Sequence, residues 1–147
     1  MSERTTSTTG FILIGMKHCG KSTLGRMAAE RLSLPFYDLD ELVLRKIRPA
    51  GYSSVREVYR NAGVEKFQEY EEEAASELAA ILRRSAAIAA LGGGTVENPP
   101  AMEYVGSLAP VFFLEVDEEE LFRRIMDTGI PPFLDGEEGP RALFSRL

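Results

Sequence analysis

Short apolar runs alternate along the chain with longer segments that have helical periodicity. We predict β-strands at 11–14, 34–40, 86–91 and 111–116. We predict helices at 22–32, 41–48, 55–60, 64–84, 101–108 and 117–127, with a break at 61–63. Strands that alternate with helices predict an α/β fold in which a parallel sheet carries helices on both faces. Ligands of such sheets bind at the carboxyl ends of the strands.

The first strand and the first helix are joined by a glycine-bounded loop. Residues 15–22 follow the pattern G-x-x-x-x-G-K-S, and the helix after them carries Leu24 and Met27 on one face. Gly15 and Gly20 permit backbone angles that turn successive N–H groups toward an anion, and the helix N-terminus adds partial positive charge. Lys21 is suited to reach terminal phosphates, and the Ser22 hydroxyl to bind magnesium. The alternative is a glycine turn with an incidental Lys-Ser pair, which the strand–loop–helix context disfavours.

Bulk properties exclude several classes of protein. The 147 residues suit a single domain (1–147) with a polar, frayed leader at 1–9. The net charge of −6 disfavours non-specific nucleic-acid binding, which requires a basic surface. No apolar stretch is long enough to span a bilayer, and the leader lacks a secretory core. A single cysteine excludes an intrachain disulfide and fits a cytoplasmic protein. We expect a monomer or a weak dimer.

Two further strand ends carry candidate chemistry. Asp38 and Asp40 end the second predicted strand, where an extended chain points both carboxylates to the same side. One is suited to hold magnesium through water and the other to accept a hydroxyl proton, whereas the alternative is an acidic cap of the following helix. Gly92, Gly93 and Gly94 follow the third strand and permit close approach by a ligand, with a flexible turn as the alternative.

Other charged and polar residues have open roles. Arg123 or Arg124 is suited to cover a nucleotide, although a solvated surface explains the pair equally well. His18 and Cys19 lie within the phosphate loop, where the backbone usually binds, and no other soft ligand exists to form a metal site with them. The acidic residues of 69–73 are read as mostly a solvated helix face.

The chain resembles the shikimate kinases, which are small P-loop kinases. The resemblance extends from about residue 10 to 140. It rests on the segments at 15–26, 36–40, 54–59 and 91–96, together with Phe67 and Glu71. It implies a three-layer P-loop kinase fold with a lid-like segment at 128–140. The last strand and the last helix of the family pattern have no counterpart in this sequence. The resemblance also implies ATP and Mg²⁺ as cofactors and a shikimate-like small molecule as substrate, in aromatic amino-acid biosynthesis.

The resemblance implies roles for individual residues. Lys21 and Asp40 would be catalytic, and Asp40 would contact the substrate hydroxyl. Ser22 would bind magnesium, helped by Asp38 through water, and Gly92–Gly94 would line the substrate pocket. The nucleotide would be bound by Gly15, Lys17, His18, Cys19, Gly20, Lys21, Ser22, Thr23 and Arg124.

The sequence differs from the family pattern at two arginine positions within its length. The family's F-R-x-x-E motif reads with Gln68 in place of arginine, and Pro131 stands where the lid has arginine. A later arginine, in an R-x-P-x-Y segment, has no counterpart. Three functions therefore remain open: a shikimate kinase-like enzyme, a kinase for a different small hydroxylated substrate, and a non-catalytic nucleotide-binding homologue.

Overall fold

Four short parallel strands form one sheet in the computed structural model, which describes residues 9–130, 134 and 136–145. The strands are β1 (Phe11–Ile14), β2 (Phe36–Asp38), β3 (Ile88–Ala90) and β4 (Val111–Phe113). Their spatial order is β2-β3-β1-β4, so that β1 lies between β3 and β4. The phosphate-loop strand is therefore internal, and its carboxyl end lies beside the ends of its two neighbours.

Six helices connect and flank the strands in the described part of the chain. They are α1 (Lys21–Leu32), α2 (Leu39–Ile47), α3 (Val55–Arg84), α4 (Pro99–Val105), α5 (Glu118–Asp127) and α6 (Pro140–Phe144). Short 3₁₀ turns occupy Arg48–Ala50 and Thr95–Glu97. This arrangement confirms the predicted α/β fold with a parallel sheet.

Helices cover the two faces of the sheet unequally. The connection from β1 to β2 runs in the opposite direction to those from β2 to β3 and from β3 to β4, so right-handed crossovers place α1 on one face and α2–α4 on the other. The main core lies between the sheet and α2–α4. It includes Ile12, Leu39, Val58, Leu78 and Val105, all fully buried. A second cluster joins Cys19 of the phosphate loop to Leu121 and Ile125 of α5 and to Leu134 and Phe144.

Three predicted strands are shorter in the structure than in the sequence pattern. The predicted 34–40 strand is limited to Phe36–Asp38, because α2 begins at Leu39, and Asp40 is therefore helical. The third and fourth strands contract to Ile88–Ala90 and Val111–Phe113. The predicted break at 61–63 appears as non-helical backbone at Gly63, with φ 88° and ψ 173°, inside an otherwise continuous α3.

Apolar side chains of α1 and β4 are exposed, although the pattern of each is that of a buried element. Leu24 and Met27 are 46% and 50% exposed, because α1 instead packs through Gly25 and Ala29. On the edge strand, Phe112 and Phe113 are 54% and 63% exposed on opposite faces of the sheet. One flank of α1 and both faces of β4 are thus left without a packed layer by the residues that the structure describes.

Two sequence-based expectations lie wholly or partly outside the described residues. Most of the 1–9 leader and Pro131 of the lid-like segment fall there. Within 9–130, 134 and 136–145, no helix combines the length and the apolar character needed to cross a membrane.

Candidate active site

The loop between β1 and α1 adopts the backbone geometry of an anion-binding loop. Gly15, His18 and Gly20 have φ values of 147°, 67° and 99°. Gly15 is also required by space, because a Cβ there would lie 2.8 Å from the Leu114 carbonyl oxygen and 2.9 Å from Cys19 Sγ. The loop ends at the N-terminus of α1, whose cap residue is Gly20, without a side-chain cap. Free backbone N–H groups at this helix end are suited to bind phosphate.

Lys21 is buried within this loop. The residue is only 8% exposed, and its Nζ donates hydrogen bonds to the carbonyl oxygens of Gly15 at 2.7 Å and Met16 at 2.9 Å. Nζ also lies 3.7 Å from Cys19 Sγ. The loop therefore folds around its own lysine, whose ammonium group is hydrogen-bonded to the loop backbone. Cys19 is itself buried and packs with α5, which gives it a structural place in the loop.

Ser22 in the first turn of α1 and Asp38 at the end of β2 come together in the structure. Ser22 Oγ donates a 2.5 Å hydrogen bond to Asp38 Oδ2. A hydroxyl and a carboxylate are the hard oxygen ligands that Mg²⁺ accepts, and Mg²⁺ commonly takes its other ligands from water and phosphates. No group of three or more His, Cys, Asp or Glu side chains forms a metal cage within the described residues. The pair therefore fits a magnesium ion that is shared with a phosphate ligand.

Asp38 and Asp40 have different environments, contrary to the expectation that both extend from a strand. Asp38 ends β2 and caps α2, because its Oδ1 accepts the Asp40 N–H at 2.9 Å. The helix cap is thus Asp38, and Asp40 lies in the first helical turn. Asp40 is exposed as a residue, although its carboxyl lies close to the Gly92 backbone. Burial, followed by the charge of Asp38, raises the pKa of Asp40, while Lys21 opposes the shift.

The glycine turn after β3 packs against both other strand ends. A Cβ on Gly92 would lie 2.7 Å from Asp40 Oδ1, and one on Gly93 would lie 2.9 Å from the backbone nitrogen of Lys17. Gly94 has no atom within 4 Å of such a Cβ. The turn therefore lies against Asp40 on one side and the phosphate loop on the other.

The helix after β4 brings Arg124 to the phosphate loop. Arg124 Nη1 donates to the His18 carbonyl oxygen at 3.4 Å, and Nε donates to Glu120 at 2.8 Å. Arg123 instead forms exposed ion pairs with Glu120 and Asp127. Burial, followed by the charges of Lys17 and Lys21, lowers the pKa of His18, which favours the neutral imidazole. Of the two arginines, Arg124 is the one that contacts the phosphate loop. Thr23, on the first turn of α1, is exposed.

A buried polar cluster behind the glycine turn was missed by the sequence analysis. Glu71 is only 3% exposed and accepts hydrogen bonds from Thr95 and Asn98, so it is not part of a solvated helix face. A signal for this was present, because Glu71 falls on the stripe of α3 that contains the fully buried Ala74, Ala75 and Leu78. One turn earlier, Phe67 stacks on Tyr59 with ring centroids 4.7 Å apart.

Together, the fold and the glycine-bounded loop before α1 are those of a P-loop protein of the α/β class. The shikimate kinase family profile matches residues 17–147. The chain therefore belongs to the shikimate kinase family.

Individual relatives agree with this membership. The chain is 35% identical over 120 residues to the shikimate kinase of Chlamydia pneumoniae and 33% identical over 129 residues to that of Chlorobium chlorochromatii. These alignments cover 82% and 88% of this chain but 66% and 64% of the relatives, so the chain spans less than two-thirds of their length. The solved shikimate kinase of Acinetobacter baumannii in complex with shikimate superposes with a TM-score of 0.79 and 27% identity, over 95% of this chain and 74% of that one. The Aquifex aeolicus shikimate kinase has a TM-score of 0.69 and 26% identity, over 94% and 83% respectively.

Proposed function

We propose that the chain is an ATP- and Mg²⁺-dependent kinase that transfers a phosphoryl group to a hydroxyl of shikimate. The observation that carries the proposal is the meeting of Lys21, the Ser22–Asp38 pair and Asp40 with the Gly92 turn at one edge of the sheet. Family membership and the likeness to a relative solved with shikimate support the same reaction.

The phosphate loop and its lysine would bind the nucleotide. Lys21 Nζ would exchange the Gly15 and Met16 carbonyls for phosphate oxygens, which keeps its positive charge compensated within the loop. Ser22 and Asp38 would hold Mg²⁺, which when bound neutralises charge on the phosphates. Arg124, which already contacts the loop, would lie against the nucleotide.

Asp40 would act as the base on the acceptor side. Its carboxylate would take the proton of the acceptor hydroxyl while the oxygen bonds to the γ-phosphorus and the bond from that phosphorus to the β–γ bridging oxygen breaks, which releases ADP. The turn at Gly92–Gly94 would form the wall of the acceptor pocket, because it contacts Asp40 directly.

Turnover with and without shikimate tests the proposal. ADP release measured by a coupled assay should rise on addition of shikimate, and ³¹P NMR should detect a phosphate monoester in stoichiometric amount. The Asp40→Asn variant should bind ADP–Mg²⁺ but form no ester. If ADP release is independent of shikimate and no ester appears, shikimate is not the acceptor.

A second candidate is a kinase whose acceptor has no carboxylate. The charged groups that act on Asp40 are Asp38 and Glu71, which are acidic, and Lys17 and Lys21, which both belong to the phosphate loop. On α3, the residue one turn before Glu71 is the neutral Gln68, whose backbone carbonyl oxygen accepts from Asn98 Nδ2. The two cations that act on Asp40 are thus ones that the phosphates of a nucleotide would also need.

Gln68→Arg distinguishes these two candidates, with Gln68→Met as a control of similar size. If the acceptor carries a carboxylate, the arginine variant should lower the KM for shikimate and the methionine variant should not. If a neutral polyol is the better acceptor, both variants should leave its turnover intact. Calorimetric binding of ADP–Mg²⁺ without an ester from either acceptor would instead support a non-catalytic nucleotide-binding protein.

A further inference from the structure

Buried polar side chains concentrate in one cluster. Within the described residues, the polar or charged side chains in the buried class belong to Lys21, Glu71, Thr95 and Asn98, and the last three contact one another. Lys21 serves the phosphate loop, whereas the other three have no role in the reaction described above. A buried carboxylate is costly unless donors compensate it, so the position of Glu71 depends on these contacts.

The Glu71 carboxylate joins α3 to the segment after the glycine turn. Its Oε2 accepts from Thr95 Oγ1 at 2.8 Å, and its Oε1 accepts from Asn98 Nδ2 at 2.9 Å. Asn98 Nδ2 also donates to the backbone carbonyl oxygen of Gln68 at 3.2 Å, one helical turn earlier on α3. Thr95 and Asn98 begin and follow the 3₁₀ turn Thr95–Glu97, so the carboxylate holds this turn at both ends.

The same turn determines where Gly92 lies relative to Asp40. Thr95 N–H donates to the Gly92 carbonyl oxygen at 3.2 Å, and Asn98 N–H donates to the Thr95 carbonyl oxygen at 3.0 Å. A Cβ placed on Gly92 would meet Asp40 Oδ1, Thr95 Oγ1 and Glu71 Oε2 at 2.7, 2.9 and 3.5 Å. Gly92 is therefore enclosed between the Asp40 side chain and the Glu71–Thr95 hydrogen bond.

We infer that Glu71 is a positioning residue that holds the glycine turn against Asp40 through Thr95 and Asn98. The hydrogen bonds that join Glu71 to Thr95 and Asn98, called here the Glu71 clamp, are a property of the fold. Their effect on the acceptor pocket depends on the proposed function. Side-chain hydrogen bonds on two sides of a short turn leave it few alternative positions, so the pocket wall is set before the acceptor binds.

Two substitutions of Thr95 separate the hydrogen bond from packing. Thr95→Val removes the hydroxyl and keeps the volume, whereas Thr95→Ser keeps the hydroxyl and removes a methyl group. Amide hydrogen exchange followed by NMR at positions 95 and 98 should be about tenfold or more faster in the valine variant and close to wild type in the serine variant. Glu73→Gln, an exposed change on the same helix, is the matched control and should have no effect.

Kinetics provide the second measurement. In the valine variant the KM for the acceptor should rise by about tenfold to 10²-fold, while the Kd for ADP–Mg²⁺ and the kcat should change much less. A Glu71→Ala, Thr95→Val double variant should be no worse than Glu71→Ala alone, since both remove the same contact.

The outcomes are distinguishable from failure of the proposed function. If the wild-type chain phosphorylates no acceptor, the exchange data still decide whether the clamp exists. Slow exchange at both positions in the valine variant would overturn the inference, as would a serine variant that exchanges as fast as the valine one. Equal losses of nucleotide affinity and acceptor affinity would also overturn it, because they would indicate a general loss of folding.

Discussion

Replacement of Gly92 by alanine tests the contact between the glycine turn and Asp40. The added Cβ would lie 2.7 Å from Asp40 Oδ1 and 2.9 Å from Thr95 Oγ1, whereas ordinary contacts begin near 3.4 Å. The neighbouring oxygens must therefore move by about 0.5–0.7 Å, and Thr95 is fully buried with its hydroxyl bonded to Glu71. Overpacking of this kind costs about 1–3 kcal/mol of unfolding free energy.

Urea denaturation of Gly92→Ala and Gly94→Ala provides the measurement and its control. A Cβ on Gly94 has no atom within 4 Å, so this variant carries the same chemical change without the clash. We expect Gly92→Ala to be less stable than Gly94→Ala by about 1 kcal/mol or more, and its acceptor kcat/KM to fall by up to about 10²-fold through displacement of Asp40. Equal stability of the two variants would refute the close approach of Gly92 to Asp40.

Three further predictions concern the phosphate loop, the acidic residue and the helix packing. Lys21→Met should weaken ADP–Mg²⁺ binding by about tenfold or more in calorimetry, whereas the control Lys46→Met, which removes a surface ion pair, should not. Equal affinities of the two variants would contradict a role of Lys21 in nucleotide binding. Burial and nearby carboxylates raise the pKa of Asp40 above its ordinary 3.8, so ionisation of this side chain opposes folding. Asp40→Asn should therefore abolish transfer and raise the free energy of unfolding at pH 7, by an amount that shrinks toward pH 3.8. A stability difference that does not depend on pH would contradict this. Gly25→Ala should lower the free energy of unfolding by about 1–3 kcal/mol in urea denaturation, because the new Cβ would clash with the Phe36 ring. An increase in stability, as alanine gives in an exposed helix, would contradict the close packing of α1 on Phe36.

The sequence was sufficient for the order of elements and for the phosphate loop, because both depend on local patterns. The loop joins a four-residue apolar strand to a helix, and its glycines fall where the backbone needs positive φ. The three strand ends that carry candidate chemistry lie close together in the structure, since Gly92 approaches Asp40 and Gly93 approaches Lys17. Parallel sheets place the carboxyl ends of their strands along one edge, but which ends are neighbours depends on the strand order β2-β3-β1-β4, which the local pattern does not contain.

Other features depended on tertiary contacts that a local pattern does not contain. The apolar periodicity of α1 predicted a helix correctly, but burial was decided by the close approach of Gly25 to Phe36, which left Leu24 and Met27 exposed. Glu71 sits among glutamates that are solvated, and only the placement of Thr95 and Asn98 makes a buried carboxylate tolerable there. In both cases, the burial of the side chains depends on contacts with residues that are distant in sequence.

The two aspartates show how a change of backbone geometry separates chemical roles. An uninterrupted strand would have pointed Asp38 and Asp40 to the same side. The helix begins between them instead, so Asp38 becomes the cap and accepts from Ser22 Oγ and from the Asp40 N–H. No hydrogen bond to the Asp40 carboxylate is seen in the part of the chain that the structure describes, and its pKa is raised. The Asp38 carboxylate is therefore hydrogen-bonded to Ser22 after the phosphate loop, whereas the Asp40 carboxylate lies beside the glycine turn, where under the proposed function it would accept a proton.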